Sequence, residues 1–256
     1  MDALPYGFGW LPDIPDIRDY RYAAAPQVLA ALPPSVDLRP KCPPVVDQRN
    51  LGSCVANAIG SAHRYAQHVQ RAHHPITASR LFLYYNARVM IGTVASDSGA
   101  YIRDGMKSVA QQGVCSEAKW PYTLAKFTRK PPASCYTSAL THQGLLYQRV
   151  SQSLTQLQGC LAAGFPFVFG FAVYESFVSS AVANTGIVPM PSPREQLLGG
   201  HAVLAVGYDD TQQRFLVRNS WGVAWGEKGD FTMPYAYLVD GDLSNDFWML
   251  TLVETT

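Results

Sequence analysis

Residues 47–58, DQRNLGSCVANA, join a polar turn to the start of a helix. From there, apolar residues such as Val55, Ala58 and Ile59 recur at the spacing of a helix with one buried face. Cys54 therefore falls in the first turn of the predicted helix. Unpaired N–H groups and the macrodipole at a helix start favour negative charge, which for a cysteine is the reactive thiolate. A lone free cysteine is more often a small buried core residue, so a reactive Cys54 needs support from elsewhere in the chain.

That support comes from two apolar runs that are predicted to form a hairpin. Residues 199–208, GGHAVLAVGY, and residues 214–222, RFLVRNSWG, have strand character and are separated by a polar turn. Folded antiparallel, they place His201 and Asn219 on one face and within one diagonal step of each other. Nucleophilic catalysis requires a base within reach of the nucleophile and a third polar group that orients the base. The pattern predicts this arrangement for Cys54, His201 and Asn219.

Together these blocks resemble the papain-like (C1) cysteine peptidases, in particular a bacterial-type member with a short N-terminal prosegment. In that family a Gln precedes the nucleophilic Cys by six residues, and here Gln48 precedes Cys54 at that spacing. The family's later blocks stand at residues 200–203, GHAV, and 219–229, NSWGVAWGEKG. The separations, 147 residues from Cys54 to His201 and 18 more to Asn219, also agree with the family. The resemblance runs from about residue 32, where LPPSVDLR looks like the start of a mature domain, to the end of the chain.

The resemblance implies an α+β, papain-like two-lobe fold, in which a cleft separates a helical lobe from an antiparallel β-sheet or barrel lobe. We expect the helical lobe at roughly residues 45–115 and the β lobe at roughly 116–256 together with 32–44. The resemblance makes Cys54 the nucleophile, His201 the acid and base, and Asn219 the residue that orients His201. It makes Gln48 an oxyanion donor together with the Cys54 backbone N–H.

Substrate-binding residues are also implied by the resemblance. Residues 97–106 resemble the segment before the third helix, where two glycines pair through their backbone with an extended substrate peptide; here these positions are Gly99 and Ala100. The alternative for this segment is an ordinary loop with a helix cap. Trp221 is expected to shield the contact between Asn219 and His201 from water and to border the cleft on the leaving-group side.

The cysteines depart from the family's pattern. Where the family often has a Cys three residues before the nucleophile, this chain has Leu51, so that disulfide cannot form. Of the five cysteines, Cys115 and Cys135 flank a Pro-containing loop and are candidates for a disulfide, whereas Cys42 and Cys160 have no evident partner. Pairing does not follow from sequence alone.

Residues 1–31 are predicted to form an extended arm, because prolines are frequent and helical periodicity is absent. The arm could be a disordered leader or a strap on the surface. The sharper hypothesis is a short propeptide that lies along the cleft and blocks it. It lacks the charge and apolar pattern of a signal peptide, so the compartment stays open: secreted if such a signal was removed, otherwise cytoplasmic.

Other features of the sequence narrow the class of function. A net charge of +1 with 15% charged residues gives no electrostatic argument for nucleic-acid or membrane partners, and no apolar run could span a bilayer. The helix that starts at Cys54 is expected to run to about His73 and to carry four exposed histidines without metal-ligand spacing, namely His63, His68, His73 and His74. We expect no metal and no cofactor. The partners would be a protein or peptide substrate and protein inhibitors of papain-like peptidases, and the chain is expected to be a monomer.

The sequence therefore predicts a cysteine endopeptidase that works through a Cys54 thioacyl-enzyme and is inhibited by its own N-terminal arm. One alternative is a Cys-dependent acyl transferase or amidase, which typically has an Asp as the third residue. Another is a binding protein on a papain-like scaffold. No insertion of the kind that converts family members to exopeptidases is evident.

Overall fold

The computed structural model describes residues 6–254. Predictions that touch residues 1–5 of the arm, or residues 255–256 at the end of the β lobe, lie outside this range. The described helices are α1 (Pro26–Leu29), α2 (Cys54–Val69), α3 (Arg80–Met90), α4 (Ile102–Gln112), α5 (Ala133–Ala139), α6 (Leu154–Ala162), α7 (Ser180–Thr185) and α8 (Tyr235–Val239). The strands are β1 (Trp10–Leu11), β2 (Arg21–Tyr22), β3 (Ser35–Asp37), β4 (Ala100–Tyr101), β5 (Gly144–Val150), β6 (Phe167–Tyr174), β7 (Leu197–Asp209), β8 (Arg214–Arg218), β9 (Asp230–Pro234) and β10 (Ser244–Val253).

Helix α2 is the centre of the helical part of the molecule. It begins at Cys54, as its apolar spacing predicts, and most of its residues are buried. It contacts α3, α4, β7 and β10, so it lies between the other helices and the sheet. Helix α3 starts after Ser79, whose side chain accepts a hydrogen bond from the backbone N–H of Phe82 as an N-cap.

Two expectations for α2 are wrong. The helix ends at Val69 and not near His73, because the chain leaves the helical conformation at Arg71, where φ is +55°. His63 is fully buried and not exposed. Its ring lies within hydrogen-bond distance of the Gln67 side chain and of the carbonyl of His142. The prediction of one exposed polar face fails for α2, because neighbouring helices and strands cover the helix on nearly every side.

The strands of the second half of the chain form a sheet together with β2 and β3 from the N-terminal part. Its strand order is β2-β5-β10-β6-β7-β8-β9, and β3 pairs with β7. All these pairs are antiparallel except β2 with β5. Aromatic residues from several strands pack together in its core, for example Phe169 stacked on Phe247 and Phe167 edge-on to Phe215. Long antiparallel strands give the side chains at the cleft a rigid support.

The hairpin of β7 and β8 has the predicted geometry. Leu204 pairs with Arg218, so Asn219, the next residue along the chain, is one diagonal step from His201. A register shift between Ala205 and Gly207 marks a bulge in β7. His201 and Asn219 therefore face the same side of the hairpin.

The boundaries of the two lobes stay a prediction. Helices α2, α3 and α4 lie in residues 54–112, and β5 to β10 lie after residue 143, which is the expected division in outline. Helix α5 nevertheless packs its Cys135 and Ala139 into a small cluster with Phe82 of α3 and Cys115.

Candidate active site

Cys54 lies where the helices and the sheet meet. It is the first residue of α2, and its side chain is fully buried. Backbone groups of Ala202, Gly9 and Val55 interact with its sulfur. Because Ala202 follows His201 directly, the structure brings the helix start and the strand that carries His201 together.

The His201 side chain is oriented by Asn219. The two are 2.8 Å apart between His201 Nε2 and Asn219 Oδ1, and the same Oδ1 accepts a hydrogen bond from the Ser220 backbone N–H at 2.8 Å. Because that oxygen is an acceptor, His201 Nε2 carries the proton and donates it. In the neutral ring the lone pair is then on Nδ1, which is buried and has no hydrogen-bond partner among residues 6–254. Nδ1 is therefore the ring nitrogen with a free lone pair.

Gln48 is buried, and both ends of its side-chain amide are fixed. Its Oε1 accepts a hydrogen bond from Ser220 Oγ at 2.6 Å, and its Nε2 donates to the carbonyls of Leu51 and Gly7, each at 2.9 Å. The orientation of the amide group follows from these contacts, because the carbonyls of Leu51 and Gly7 can only accept and must therefore face the NH₂ end of the amide. The N–H side of Gln48 therefore faces the site.

Trp221 covers His201. Its ring is stacked on that of His201, with centroids 4.8 Å apart and an interplanar angle of 30°. Phe177 and Trp225 meet Trp221 edge-on. His201 and Asn219 are thus both enclosed, with 0% and 3% of their surfaces exposed.

Residues 6–13, which we call the plug, lie across the site. Tyr6 is stacked nearly parallel on Trp221, with centroids 4.0 Å apart, and the Gly7 carbonyl accepts the hydrogen bond from Gln48. Gly9 is pressed against Gly52, since a Cβ on Gly9 would lie 1.8 Å from the Gly52 carbonyl oxygen. Only glycine fits such a close approach of two backbones. The plug therefore fills the space beside Cys54, Gln48 and Trp221.

The segment at Gly99 and Ala100 pairs with the plug through its backbone. The Ala100 N–H donates to the Gly9 carbonyl at 2.8 Å, and β1 pairs in parallel with β4. Gly99 has φ +75°, and a Cβ there would lie 2.3 Å from the Gly9 carbonyl oxygen. This segment therefore holds an extended peptide.

Trp10 of the plug fills a slot in the β lobe that two glycines leave open. A Cβ on Gly170 would lie 1.9 Å from the indole, and a Cβ on Gly200 would lie 2.7 Å from it. The indole Nε1–H donates to Asp246 Oδ2 at 3.1 Å. The slot thus combines an apolar wall with one buried acceptor.

A buried cluster of charges anchors the end of the plug. Asp13 accepts a hydrogen bond from the Trp248 indole at 2.8 Å, and its backbone N–H donates to Asp246 at 2.7 Å. Arg149 lies 2.9 Å from Asp246 and 3.6 Å from Asp13. Burial, and secondarily the Asp246 carboxylate, raises the pKa of Asp13 to about 7. We call Asp13, Asp19, Arg103, Arg149 and Asp246 the anchor cluster.

Burial also shifts the pKa values of Cys54 and His201 in the intact chain. It raises the pKa of the Cys54 thiol to about 11, against a smaller opposite effect of nearby backbone groups. It lowers the pKa of His201 to about 4, although the contact with Asn219 acts the other way. Between these two pH values both groups are neutral while the plug is in place.

Two supporting residues were missed by the sequence-based predictions. Ser220 orients Gln48 and stands inside the NSWG block, so a motif signal for it existed. Asp97 accepts hydrogen bonds from the Gly52 backbone N–H, at 2.9 Å and 3.1 Å, and from the Tyr84 hydroxyl. These contacts tie the loop before Cys54 to α3, next to Leu51, where the family's disulfide is absent. Asp97 opens the segment 97–106, but nothing in that segment marks Asp97 as the partner of Gly52.

All five cysteines are free thiols in the structure. Cys115 and Cys135 interact through their side chains but are not bonded to each other. A disulfide between them stays a prediction. Within residues 6–254, no group of three or more His, Cys, Asp or Glu side chains could hold a metal ion. The same range contains no helix long and apolar enough to cross a membrane.

Comparisons with known proteins decide the family. A family model described as papain family cysteine protease matches residues 32–239. The chain belongs to the papain family of cysteine proteases. It is therefore a hydrolase, and its α+β fold is the predicted papain-like two-lobe fold; both predictions are confirmed.

Individual members of the papain family are similar over nearly the whole chain. A peptidase C1-like protein, L477, of Acanthamoeba polyphaga mimivirus is 39% identical over 97% of this chain and 88% of its own length. The crystal structure of xylellain, a cysteine protease from the bacterium Xylella fastidiosa, matches with a TM-score of 0.91 and 42% identity, covering 100% of this chain and 99% of that one. Procathepsin L 3 of Tenebrio molitor shares the fold at 19% identity, with a TM-score of 0.72, over 97% of this chain and 76% of that one.

Proposed function

We propose that this papain-family protease is an endopeptidase that cleaves protein or peptide substrates through a Cys54 thioacyl-enzyme. The observation that carries the proposal is the hydrogen bond from His201 Nε2–H to Asn219 Oδ1 at 2.8 Å. It leaves the lone pair of His201 on Nδ1, the nitrogen that must take the proton of the thiol. It is the contact expected of a base oriented by a third polar group.

The reaction then follows from the chemistry of these side chains. His201 Nδ1 takes the proton of Cys54, and the thiolate attacks the substrate carbonyl carbon. Gln48 Nε2–H and the Cys54 backbone N–H stabilise the oxyanion that forms. His201 returns the proton to the leaving amine, and a water molecule activated by His201 then hydrolyses the thioester.

We also propose that the plug inhibits the enzyme. Four contacts support this. The Gly7 carbonyl accepts a hydrogen bond from Gln48 Nε2, and Tyr6 covers Trp221. The Gly9 carbonyl accepts a hydrogen bond from the Ala100 N–H, and Trp10 fills a slot in the β lobe. Gly99, Ala100 and Trp221 would bind substrate once the plug has left. A substrate would then pair with the Ala100 backbone N–H that now bonds Gly9.

Substitution of the three catalytic residues tests the proposal. We expect Cys54→Ala and His201→Ala to lose nearly all peptide hydrolysis, because they remove the nucleophile and its base. Asn219→Ala should keep part of it, because the base remains but is less well oriented. Initial rates on a fluorogenic peptide, after removal of the plug, measure this. A Cys54→Ala chain that hydrolyses peptide at the wild-type rate would refute the assignment.

A further inference from the structure

One tyrosine, Tyr122, joins the two proposed oxyanion donors from behind the site. Its hydroxyl lies 3.0 Å from the backbone carbonyl of Gln48 and 2.5 Å from Oγ of Ser53. Gln48 carries one donor, its side-chain N–H. Ser53 shares a peptide group with the backbone N–H of Cys54, which is the other donor. A single hydroxyl therefore contacts both segments that supply the donors.

The hydrogen bonds of the Tyr122 hydroxyl have one consistent direction. A carbonyl can only accept, so Tyr122 donates its one proton to Gln48. Ser53 Oγ must then donate to the Tyr122 oxygen, and it accepts in turn from Asn57 Nδ2 at 3.0 Å. Burial raises the pKa of the Tyr122 hydroxyl, which keeps it protonated as a donor. Each polar atom from Asn57 to Gln48 thus has a defined role.

The peptide group between Ser53 and Cys54 is fixed by the same network. The Ser53 carbonyl accepts hydrogen bonds from the Asn57 backbone N–H at 3.1 Å and from Asn57 Nδ2 at 2.9 Å. In a trans peptide the N–H points opposite to the carbonyl, so these contacts set the direction of the Cys54 N–H. Ser53 and Asn57 are 0% and 1% exposed. Buried groups therefore hold this peptide plane.

Gln48 is held from two directions. Its backbone N–H donates to the Ser220 carbonyl at 2.8 Å, and its side-chain oxygen accepts from Ser220 Oγ. Its backbone carbonyl is held on the other side by Tyr122. Of the two hydrogens on Nε2, one donates to Leu51 and the other to Gly7 of the plug. That second hydrogen becomes free for a substrate oxygen once the plug has left.

The ring of Tyr122 has supports of its own. The Arg80 guanidinium lies over the ring, 3.9 Å from its centroid, and pairs with Glu117 at 2.9 Å. The Glu117 carboxylate also accepts a hydrogen bond from the Tyr122 backbone N–H at 3.1 Å. These contacts do not involve the hydroxyl. Tyr122→Phe is therefore expected to remove the two hydroxyl contacts while the ring stays in place.

We propose that Tyr122 is a positioning residue for the oxyanion site, because its hydroxyl fixes the backbones of Gln48 and Ser53. With both held, the side-chain N–H of Gln48 and the backbone N–H of Cys54 point at the same substrate oxygen. This rests on the proposed function, in which those two groups stabilise the oxyanion. Donors that are fixed in advance stabilise charge without the cost of reorienting them. Tyr122 acts through Gln48 and Ser53 and not on the substrate itself.

Steady-state kinetics of Tyr122→Phe test this role on the processed enzyme, which has lost the plug. We expect kcat to fall about tenfold with KM nearly unchanged, less than the loss of about 10²- to 10³-fold when an oxyanion donor is removed outright. The matched control is Tyr136→Phe, whose hydroxyl is also partly buried but donates to Asn86 at 3.0 Å. The control should keep the wild-type kcat. Equal kcat values for the two variants would overturn the proposal.

Two reagents that attack Cys54 separate misplaced donors from general damage to the site. A peptide aldehyde forms a hemithioacetal whose oxygen mimics the oxyanion, whereas iodoacetamide loses iodide at a saturated carbon and needs no oxyanion donor. In Tyr122→Phe the Ki of the aldehyde should rise about tenfold, as expected for a transition-state mimic, and the iodoacetamide rate constant should stay within about twofold of the wild type. If the iodoacetamide rate falls as far as kcat, Tyr122 acts on the thiolate and the proposal is wrong.

A double substitution tests the link between Tyr122 and Ser53. Ser53→Ala removes the other partner of the same hydrogen bond, so the losses in kcat from Ser53→Ala and Tyr122→Phe should be less than additive. Fully additive losses would show that the two hydroxyls act independently, against the proposal. If Tyr122→Phe lowers only the melting temperature and keeps the wild-type kcat and Ki, its role is structural and the proposal fails.

Failure of this proposal is distinguishable from failure of the proposed function. A Cys54→Ala chain that hydrolyses peptide at the wild-type rate refutes the proposed function, and the role of Tyr122 with it. An enzyme that depends on Cys54, but whose kcat and aldehyde Ki do not change in Tyr122→Phe, refutes only the role of Tyr122.

Discussion

The side-chain amide of Gln48 is held between the plug and Ser220. Its nitrogen donates to the carbonyl of Gly7 in the plug, and its oxygen is held by Ser220. The same nitrogen is proposed to stabilise the oxyanion of a substrate. A residue whose orientation is fixed before the substrate arrives stabilises developing charge without reorganisation.

We predict that Gln48→Ala lowers kcat by about 10²- to 10³-fold with little change in KM, because a lost oxyanion donor acts mainly in the transition state. Steady-state kinetics on the processed enzyme measure this. Ser220→Ala, which leaves the amide present but less well oriented, should give a smaller loss. A wild-type kcat for Gln48→Ala would show that Gln48 has no such role.

At the level of single residues, the sequence predicts what recurs in a motif and misses what depends on distant contacts. Spacing and block pattern identify Cys54, His201, Asn219 and Gln48, although their catalytic roles still await experiment. Asp97 lies 45 residues along the chain from Gly52, and the family-like segment that it opens does not predict this contact. Its role exists only after α3 has packed beside the loop.

We predict that Asp97→Ala destabilises the protein by about 1.5 to 3 kcal/mol, because it removes charge-assisted hydrogen bonds to Gly52 and Tyr84. Urea unfolding of the Cys54→Ala chain, which cannot digest itself, measures the change. Asp37→Ala, at a half-exposed ion pair with Arg39, should cost less than about 1 kcal/mol. Equal losses in the two variants would mean that Asp97 does not hold the loop.

Among the elements, the plug strand β1 has the least typical position. It pairs with β4 of the helical lobe while its Trp10 side chain enters the β lobe. One short strand therefore bridges the cleft. Its pairing could not be predicted, because two residues give no periodicity, whereas the long strands β7 and β10 were evident from their apolar runs.

We predict that Trp10→Ala raises the resting peptidase activity of the unprocessed chain. Losing a buried indole costs about 3 kcal/mol, which is about a hundredfold shift toward the open cleft. The assay compares initial rates of the intact chains, whose mass is checked at the end of each assay. The matched control is Leu11→Ala, at a partly exposed plug position next to Trp10. If Trp10→Ala activates no more than the control, the indole does not hold the plug.

For the whole molecule, the sequence predicts the two-lobe papain-like architecture and the site between its lobes. The sequence says least about residues 1–31, which it predicts to be a single arm. It does not divide the arm, because the buried and exposed parts are alike in composition. The plug and residues 19–31 differ only in what they contact. Tertiary packing, and not local propensity, sets that division.

Alkylation of Cys54 tests most directly whether Cys54 is an activated nucleophile that the plug masks. The rate constant for iodoacetamide, followed by peptide mapping of Cys54, is measured from pH 5 to 10 on the intact chain and on the chain after the plug is cut away. Burial raises the pKa of the Cys54 thiol to about 11 in the intact chain, so its rate should be low at pH 7 and rise about tenfold per pH unit. The processed chain should react fast at pH 7 with a nearly flat profile, because the exposed thiol pairs with His201. Identical profiles for the two chains would contradict the claim.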